Sequence, residues 1–205
     1  MPDREIPDNV KPVFNAFFDD VSNLFNRYKI FKQVYGSEEA VNLLNESAPG
    51  FFSEIRAIML ENLLILISQL TDVPLMGGRE NLSVQKLIDV IEAHQSGLSQ
   101  VMGLNVILTQ LKDHVKPIRE IRNRTLAHND WGRRNVDLPI VMKKGIDDSL
   151  EALQEVLRVI SLHFRDVDLR CEPFAISDGD DLIAVLRQWR DYSKKDQPER
   201  WAGGD

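Results

Sequence analysis

The sequence predicts an all-α fold, an up-and-down bundle of antiparallel helices, and two observations carry that reading. Apolar residues return every three to four positions in one segment after another, as the helical period requires. Between those segments stand residues that start and stop helices: serine and aspartate at the openings, glycine and proline at the breaks.

Taken in order, Phe14, Phe17, Phe18, Val21, Leu24, Phe25 and Tyr28 mark a first helix from about Val13. Ser37-Glu38-Glu39-Ala40 opens a short second helix, the serine side chain serving as cap. Phe51 to Leu70 forms a third, apolar around most of its circumference and therefore expected at the centre of the core. Thr71-Asp72-Val73-Pro74 and Gly77-Gly78 end it in a loop. Ser83 caps a helix running to about His94, Gln95-Ser96-Gly97 breaks it, and another spans Leu98–His114. Pro117 is expected to divide that helix from the next, which then starts near Val115, because proline lacks an N–H and suits a first turn. Trp131-Gly132 and Pro139 bracket a loop, and Asp147-Asp148 open an amphipathic helix through Leu150, Leu153, Val156, Leu157, Ile160 and Leu162. Asp168 to Ala175 could hold a short strand before a last helix from Asp180 to about Tyr192. The expected organisation is an N-terminal arm (1–11), a helical bundle (12–165), a C-terminal extension with the final helix (166–193) and a disordered tail (194–205).

With 43% hydrophobic and 28% charged residues, the 205-residue chain has the composition of an ordinary globular protein. One cysteine, Cys171, cannot close an internal disulfide, and Met1-Pro2-Asp3-Arg4-Glu5 lacks the pattern of a signal peptide. The greasiest run, Leu63 to Ile67, is far short of a membrane span. A cytoplasmic setting without membrane contact is expected. The net charge of −7 excludes a general nucleic-acid coat. From Lys112 to Lys144, however, nine basic residues stand against four acidic ones, a local surplus of +5. An anionic ligand would be drawn to that stretch.

The chemistry concentrates there too, in Ile121-Arg122-Asn123-Arg124-Thr125-Leu126-Ala127-His128-Asn129-Asp130. An arginine holds a phosphate with its planar fork of donors, and a histidine moves a proton near neutral pH. On a helix, Arg122 falls inside the apolar arc, between Ile118 and Leu126, whereas Arg119 and Arg124 fall outside it. A guanidinium so placed needs an internal acid or an anion reached through a cleft. His128 lies about 120° round from Arg122 and roughly 9 Å along the axis, on the strip of Arg124 and Ile121, so a site using both must bridge two faces. Cleavage of RNA by its own 2′-hydroxyl needs a base, an acid and charge stabilisation, and a two-fold dimer would supply a second histidine. A structural account of the same residues stands beside this one: Glu120–Arg124 as a helical ion pair, Arg122 on a core acid, His128 at the helix end.

Other candidates are weaker. Gly77-Gly78-Arg79 could form an anion nest, though a glycine turn is the commoner explanation. His94, His114 and His163 are isolated, so no metal site is expected, and no cofactor is implied. Cys171 reads as a packed small hydrophobe, and Asp19-Asp20, Asp147-Asp148 and Asp180-Asp181 as solvated faces or caps rather than catalytic dyads. Trp131 could stack a base or cover the core.

Arg122-Asn123 followed by His128, with five residues between arginine and histidine, resembles the signature of the HEPN superfamily. The wording Arg-Asn-Arg-Thr-Leu-Ala-His-Asn-Asp looks like its abortive-infection, AbiU-like branch. Leu70-Thr71-Asp72 closing a helix, Gly77-Gly78, and Asn81-Leu82-Ser83 opening the next are similar as well. So are the late helix from Asp148 and the final one over Asp180–Trp189, so the resemblance covers about residues 12 to 192. It implies a HEPN-like four-helix core with additional helices and a metal-independent endoribonuclease, toxin or phage-defence effector, acting as a homodimer. The implied roles are phosphate binding for Arg122, proton handling for His128 and positioning for Asn123, with Arg119, Arg124, Asn129 and Trp131 at the substrate. An RNA substrate and an antitoxin partner belong to the same implication, with 2′,3′-cyclic phosphate and 5′-hydroxyl ends as products. Toxin relatives paired with a nucleotidyltransferase carry a tyrosine just after the histidine, where this chain has Asn129-Asp130-Trp131. The alternative class is a non-catalytic dimerisation module or a nucleotide-binding regulator.

Overall fold

In the computed structural model, residues 5–122, 141–171 and 177–196 are described, and they are helical almost throughout. The order is α1 (Lys11–Tyr35), α2 (Glu38–Ser47), α3 (Pro49–Leu70), β1 (Leu75–Met76), β2 (Arg79–Glu80), α4 (Val84–His94), α5 (Leu98–Val101), α6 (Leu104–Ile121), α7 (Val141–Arg165) and α8 (Asp178–Asp196). The all-α class therefore stands. Among the described residues no helix is long and apolar enough to cross a membrane. The chain divides into two compact units, residues 1–25 with 61–172 and residues 26–60 with 173–205, and the division passes within α1 and α3.

Local capping explains the helices whose starts the sequence places well. Ser37 sits in extended geometry and its side chain accepts from the Ala40 N–H, and Ser83 does the same for Lys86. In the first unit the buried positions keep helical spacing: Phe14, Phe17, Val21 and Leu24 on α1, Leu63, Leu64, Ile67 and Leu70 on α3, and Val84, Leu87, Ile88 and Ile91 on α4. Leu104, Leu108, Leu111, Val115 and Ile118 line α6, and Ile146, Leu150, Leu153, Val156, Leu157 and Ile160 line α7. α6 and α7 run antiparallel, since His114 faces Asp148 while Ile118 lies against Gly145. Past α7, Asp166 takes a left-handed φ of 59°, a conformation aspartate tolerates at a helix end. Gln154 then straps the returning segment to α7, donating to the Leu169 carbonyl at 2.7 Å and accepting from the Cys171 N–H.

Several expectations are corrected. Pro117 does not begin a helix but lies inside α6, and the break falls earlier, at Gly103 with φ 71°. Fully buried Val115 and Ile118 flank the proline, and their packing offsets the missing hydrogen bond. α7 does not open at Asp147-Asp148; it begins at Val141, and Ile146, just ahead of that pair, is buried. Residues 168–171 form no strand, and residues 172–175 lie outside the described residues. The loop after α3 contains a hairpin, with Leu75 opposite Glu80 and Met76 opposite Arg79. Both turn glycines have positive φ (58° and 77°), which a two-residue hairpin turn of this hand demands. α3 is not buried along its length: Phe51 and Ile58 are exposed, and full burial starts at Leu63. α8 runs on to Asp196, so residues 194–196 of the expected tail are helical.

In the second unit Val34, Ala40, Leu43, Leu44 and Ile183 form the core, with Ile30, Tyr35, Phe52 and Leu186 packed on it. α8 docks there through its first turn, where Gln33 donates to Asp180 at 2.7 Å and an added Cβ on Gly179 would lie 2.6 Å from the Gln33 Cβ. Gly179→Ala is therefore expected to cost about 1–3 kcal/mol as an overpacking change, read as a lowered midpoint in denaturant unfolding.

Candidate functional site

α3 ends in a tightened turn, with the Thr71 N–H bonding to the Ser68 carbonyl and Asp72 to Gln69. The Thr71 hydroxyl lies 3.0 Å from the carbonyls of Ile67 and Ser68, satisfying groups the helix end leaves over. That geometry presents the Thr71 carbonyl and the Asp72 carboxylate to the last turn of α6. Arg119 donates to both the carbonyl and the hydroxyl of Thr71, the latter at 3.0 Å, and lies 3.2 Å from Asp72 Oδ1. Arg122 approaches the other oxygen, with Nη1 3.7 Å from Asp72 Oδ2.

Arg119 and Arg122 stand three residues apart, so they share a helix face and converge on one acid. The cluster is partly open: the side chains of Arg122 and Asp72 are 26% and 19% exposed. At 3.7 Å the Arg122 contact is an ion pair outside hydrogen-bond range, looser than the bonds Arg119 makes. Arg122 caps α6 with helical angles (φ −51°, ψ −50°), its N–H on the carbonyls of Ile118 and Arg119. The guanidinium is thus anchored from its own helix and from the end of α3. Such a group can hold a phosphate oxygen while Asp72 limits where it swings.

Of the seven sequence-predicted site residues, the structure brings Arg119 and Arg122 together. Asn123, Arg124, His128, Asn129 and Trp131 lie outside the described residues. The internal acid that the position of Arg122 requires is Asp72, fifty residues earlier, which sequence reasoning did not assign to the site. Its only signal was the Thr-Asp pair at a helix end. Arg119, placed outside the apolar arc, turns out half-buried and tied to α3.

The other candidates resolve into structural parts. Gly77-Gly78 is the hairpin turn, closed further by Asn81, whose side chain donates to the Val73 carbonyl at 2.9 Å. His94 meets Asn9 at 3.1 Å and stacks edge-on against Phe164, which also receives the ring of His163. His114 Nδ1 lies 3.7 Å from Asp148 Oδ2 between α6 and α7. Asp180 accepts from Gln33, and Asp181 from Ser177 at 2.8 Å. Among the described residues no three of His, Cys, Asp and Glu converge as metal ligands would. Cys171 is buried with Ser22 3.9 Å from its sulfur, and burial pushes its thiol pKa up. The folded state therefore favours the thiol over the thiolate, so stability falls as pH rises past the thiol's ordinary range. Thiol-specific alkylation at neutral pH is expected to be slow and to accelerate sharply in denaturant.

A family model described as AbiU2, a HEPN model, matches residues 8–185. No curated protein and no solved structure matches the chain.

Proposed function

The chain belongs to the AbiU2 family of HEPN domains, and from that premise we propose that it is a metal-independent endoribonuclease, a toxin or phage-defence effector that cleaves RNA. The observation that carries the reading is that the matched span, 8–185, contains Arg122-Asn123 and His128 in the spacing of the superfamily signature. The partly exposed, anchored guanidinium of Arg122 supports it.

In the proposed reaction the substrate's 2′-oxygen attacks the adjacent phosphorus. A bond from O2′ to phosphorus forms, the bond from phosphorus to O5′ breaks, and a 2′,3′-cyclic phosphate and a 5′-hydroxyl result. His128 takes the 2′-hydroxyl proton or supplies one to the departing 5′-oxygen. Two such histidines come from a homodimer with facing motifs. Arg122 holds the non-bridging oxygens as charge builds on them, and Asn123 positions it. Arg124, Asn129 and Trp131 contact the substrate, while Arg119 serves by fixing Asp72. An antitoxin partner and a cytoplasmic setting belong to the same reading.

The test is incubation of the protein with a mixed RNA pool in EDTA, followed by mapping of the cut ends. Cyclic-phosphate ends from the unaltered chain are expected, and cleavage that disappears in EDTA would sink the metal-free mechanism. A second reading, a non-catalytic interaction module, has one observation on its side: Asp72, a half-buried acid, stands against Arg122, as a structural role requires. Intact RNA in every arm, with a large stability loss on truncating Arg122, would favour that module.

A further inference from the structure

α6 sorts its charges by side. At about 100° per residue, Lys112 and Lys116 stand about 40° apart, and Arg119 falls about 20° to the other side of Lys112. Arg122 follows about 60° beyond Arg119. These cations form a row that winds about 15 Å along the helix and ends at Arg122. The acids of the same stretch, Asp113 and Glu120, lie beyond Lys116, on the side of the row away from Arg119 and Arg122. Lys112 and Lys116 are exposed, and among the described residues neither enters a hydrogen bond or an ion pair. α7 covers the opposite flank, where His114 meets Asp148, about 180° round from the two lysines. The acid that faces the row is Asp72, and it stands at the inner end, 3.2 Å from Arg119 and 3.7 Å from Arg122.

Two properties of the row select its occupant. The first is residue type. Lysine carries a point charge on a long flexible stem, which suits phosphate oxygens beside any base and reads no base edge. The second is order along the helix. The lysines stand one turn apart, about 6 Å, and lead toward the guanidinium that the proposed mechanism sets on the scissile phosphate. A strand with a charge at every nucleotide matches such a file, and complementary charge raises its local concentration before the site engages. We propose that Lys112 and Lys116 are a phosphate track for substrate RNA, holding backbone phosphates next to the one that Arg122 binds. The proposal rests on the ribonuclease reading for the identity of the strand. Neither lysine reaches the reacting atoms, so both supply affinity and not chemistry, and they act on ground state and transition state alike. The bases are left for residues outside α6 to read.

The test is binding of a 2′-O-methyl RNA single strand by the full-length chain, read by fluorescence anisotropy over a range of salt concentrations. That strand lacks the attacking hydroxyl and stays intact, so binding is read apart from cleavage. Each phosphate contact contributes about 0.7 to the slope of log affinity against log salt for a single strand. Lys112→Gln combined with Lys116→Gln is expected to lower the slope by about 1.4 and to weaken binding roughly twentyfold at about 0.1 M salt. Lys112→Arg combined with Lys116→Arg keeps the charge and should bind as the unaltered chain does. Lys143→Gln combined with Lys144→Gln removes the same charge from exposed positions on α7 and should leave the slope in place. On cleavable RNA the α6 glutamine variant should raise KM with kcat unchanged. Cleavage absent from every chain would defeat the ribonuclease reading, while the salt slopes would still decide the track. An unaltered chain that does not bind the strand, a slope that the α6 change leaves in place, or an equal loss from the α7 change would overturn the proposal. The first of these is also the result if an acidic protein segment covers the row.

Discussion

His128→Ala is expected to lower RNA cleavage in EDTA by about a hundred- to ten-thousandfold, the usual contribution of a positioned acid–base group. The helical signal and melting temperature should hardly move. The sign of that second readout matters because the sequence also allows the same histidine a purely structural role, as a cap. A catalytic histidine sits where substrate reaches it and contributes little to packing; a capping one contributes stability and no chemistry. Wild-type and variant chains are therefore compared in two assays, end-mapped RNA cleavage and thermal unfolding. Loss of cleavage at constant stability is the expected pair of results. Equal cleavage by both chains would remove His128 from the mechanism.

The second large effect is expected at Asp72. Its carboxylate separates two guanidinium groups that share a face of α6, at 3.2 Å from Arg119 and 3.7 Å from Arg122. Asp72→Ala would remove the carboxylate that stands between two half-buried guanidinium groups. Breaking a fully buried pair costs about 3–5 kcal/mol, and partial exposure here brings the expectation down to about 2 kcal/mol. For a chain of this size that is a drop of about 4–8 °C in melting temperature. Asp72→Asn should cost less, because the amide oxygen still presents a negative dipole to Arg119 where the carboxylate stood. The double variant with Arg122→Ala is the decisive measurement: removing one of the two cations should recover part of the loss, giving a coupling of about 0.5–2 kcal/mol. Strictly additive losses would mean that the Arg122 contact carries no energy, and the account of how this guanidinium is anchored would fail.

α2 and α4 begin where the sequence places them, because capping is local. Ser37 and Ser83 each meet an N–H three residues on, so the neighbours suffice to specify the bond. The interior helices were less legible. Pro117 is a strong local signal for a break, yet it was overridden by the burial of Val115 and Ile118, a property of what lies across from them. Asp147-Asp148 reads as a helix start for the same local reason. The helix continues upstream, where Ile146 is buried and Gly145 lies against Ile118 of α6, contacts that no pattern within α7 could reveal.

The candidate site divides in the same way. By itself, the sequence determined the all-α class and the need of Arg122 for a counter-charge, since these follow from periodicity and the cost of an unpaired cation. Only the tertiary structure decided that Asp72 is that counter-charge and that Arg119 ties α6 to the end of α3. It alone, too, left Val185 of α8 outside while Ile183 went in. Each of those outcomes is a pairing between residues far apart in the chain, or a choice of which helix face is covered, and both are set by packing rather than by local preference.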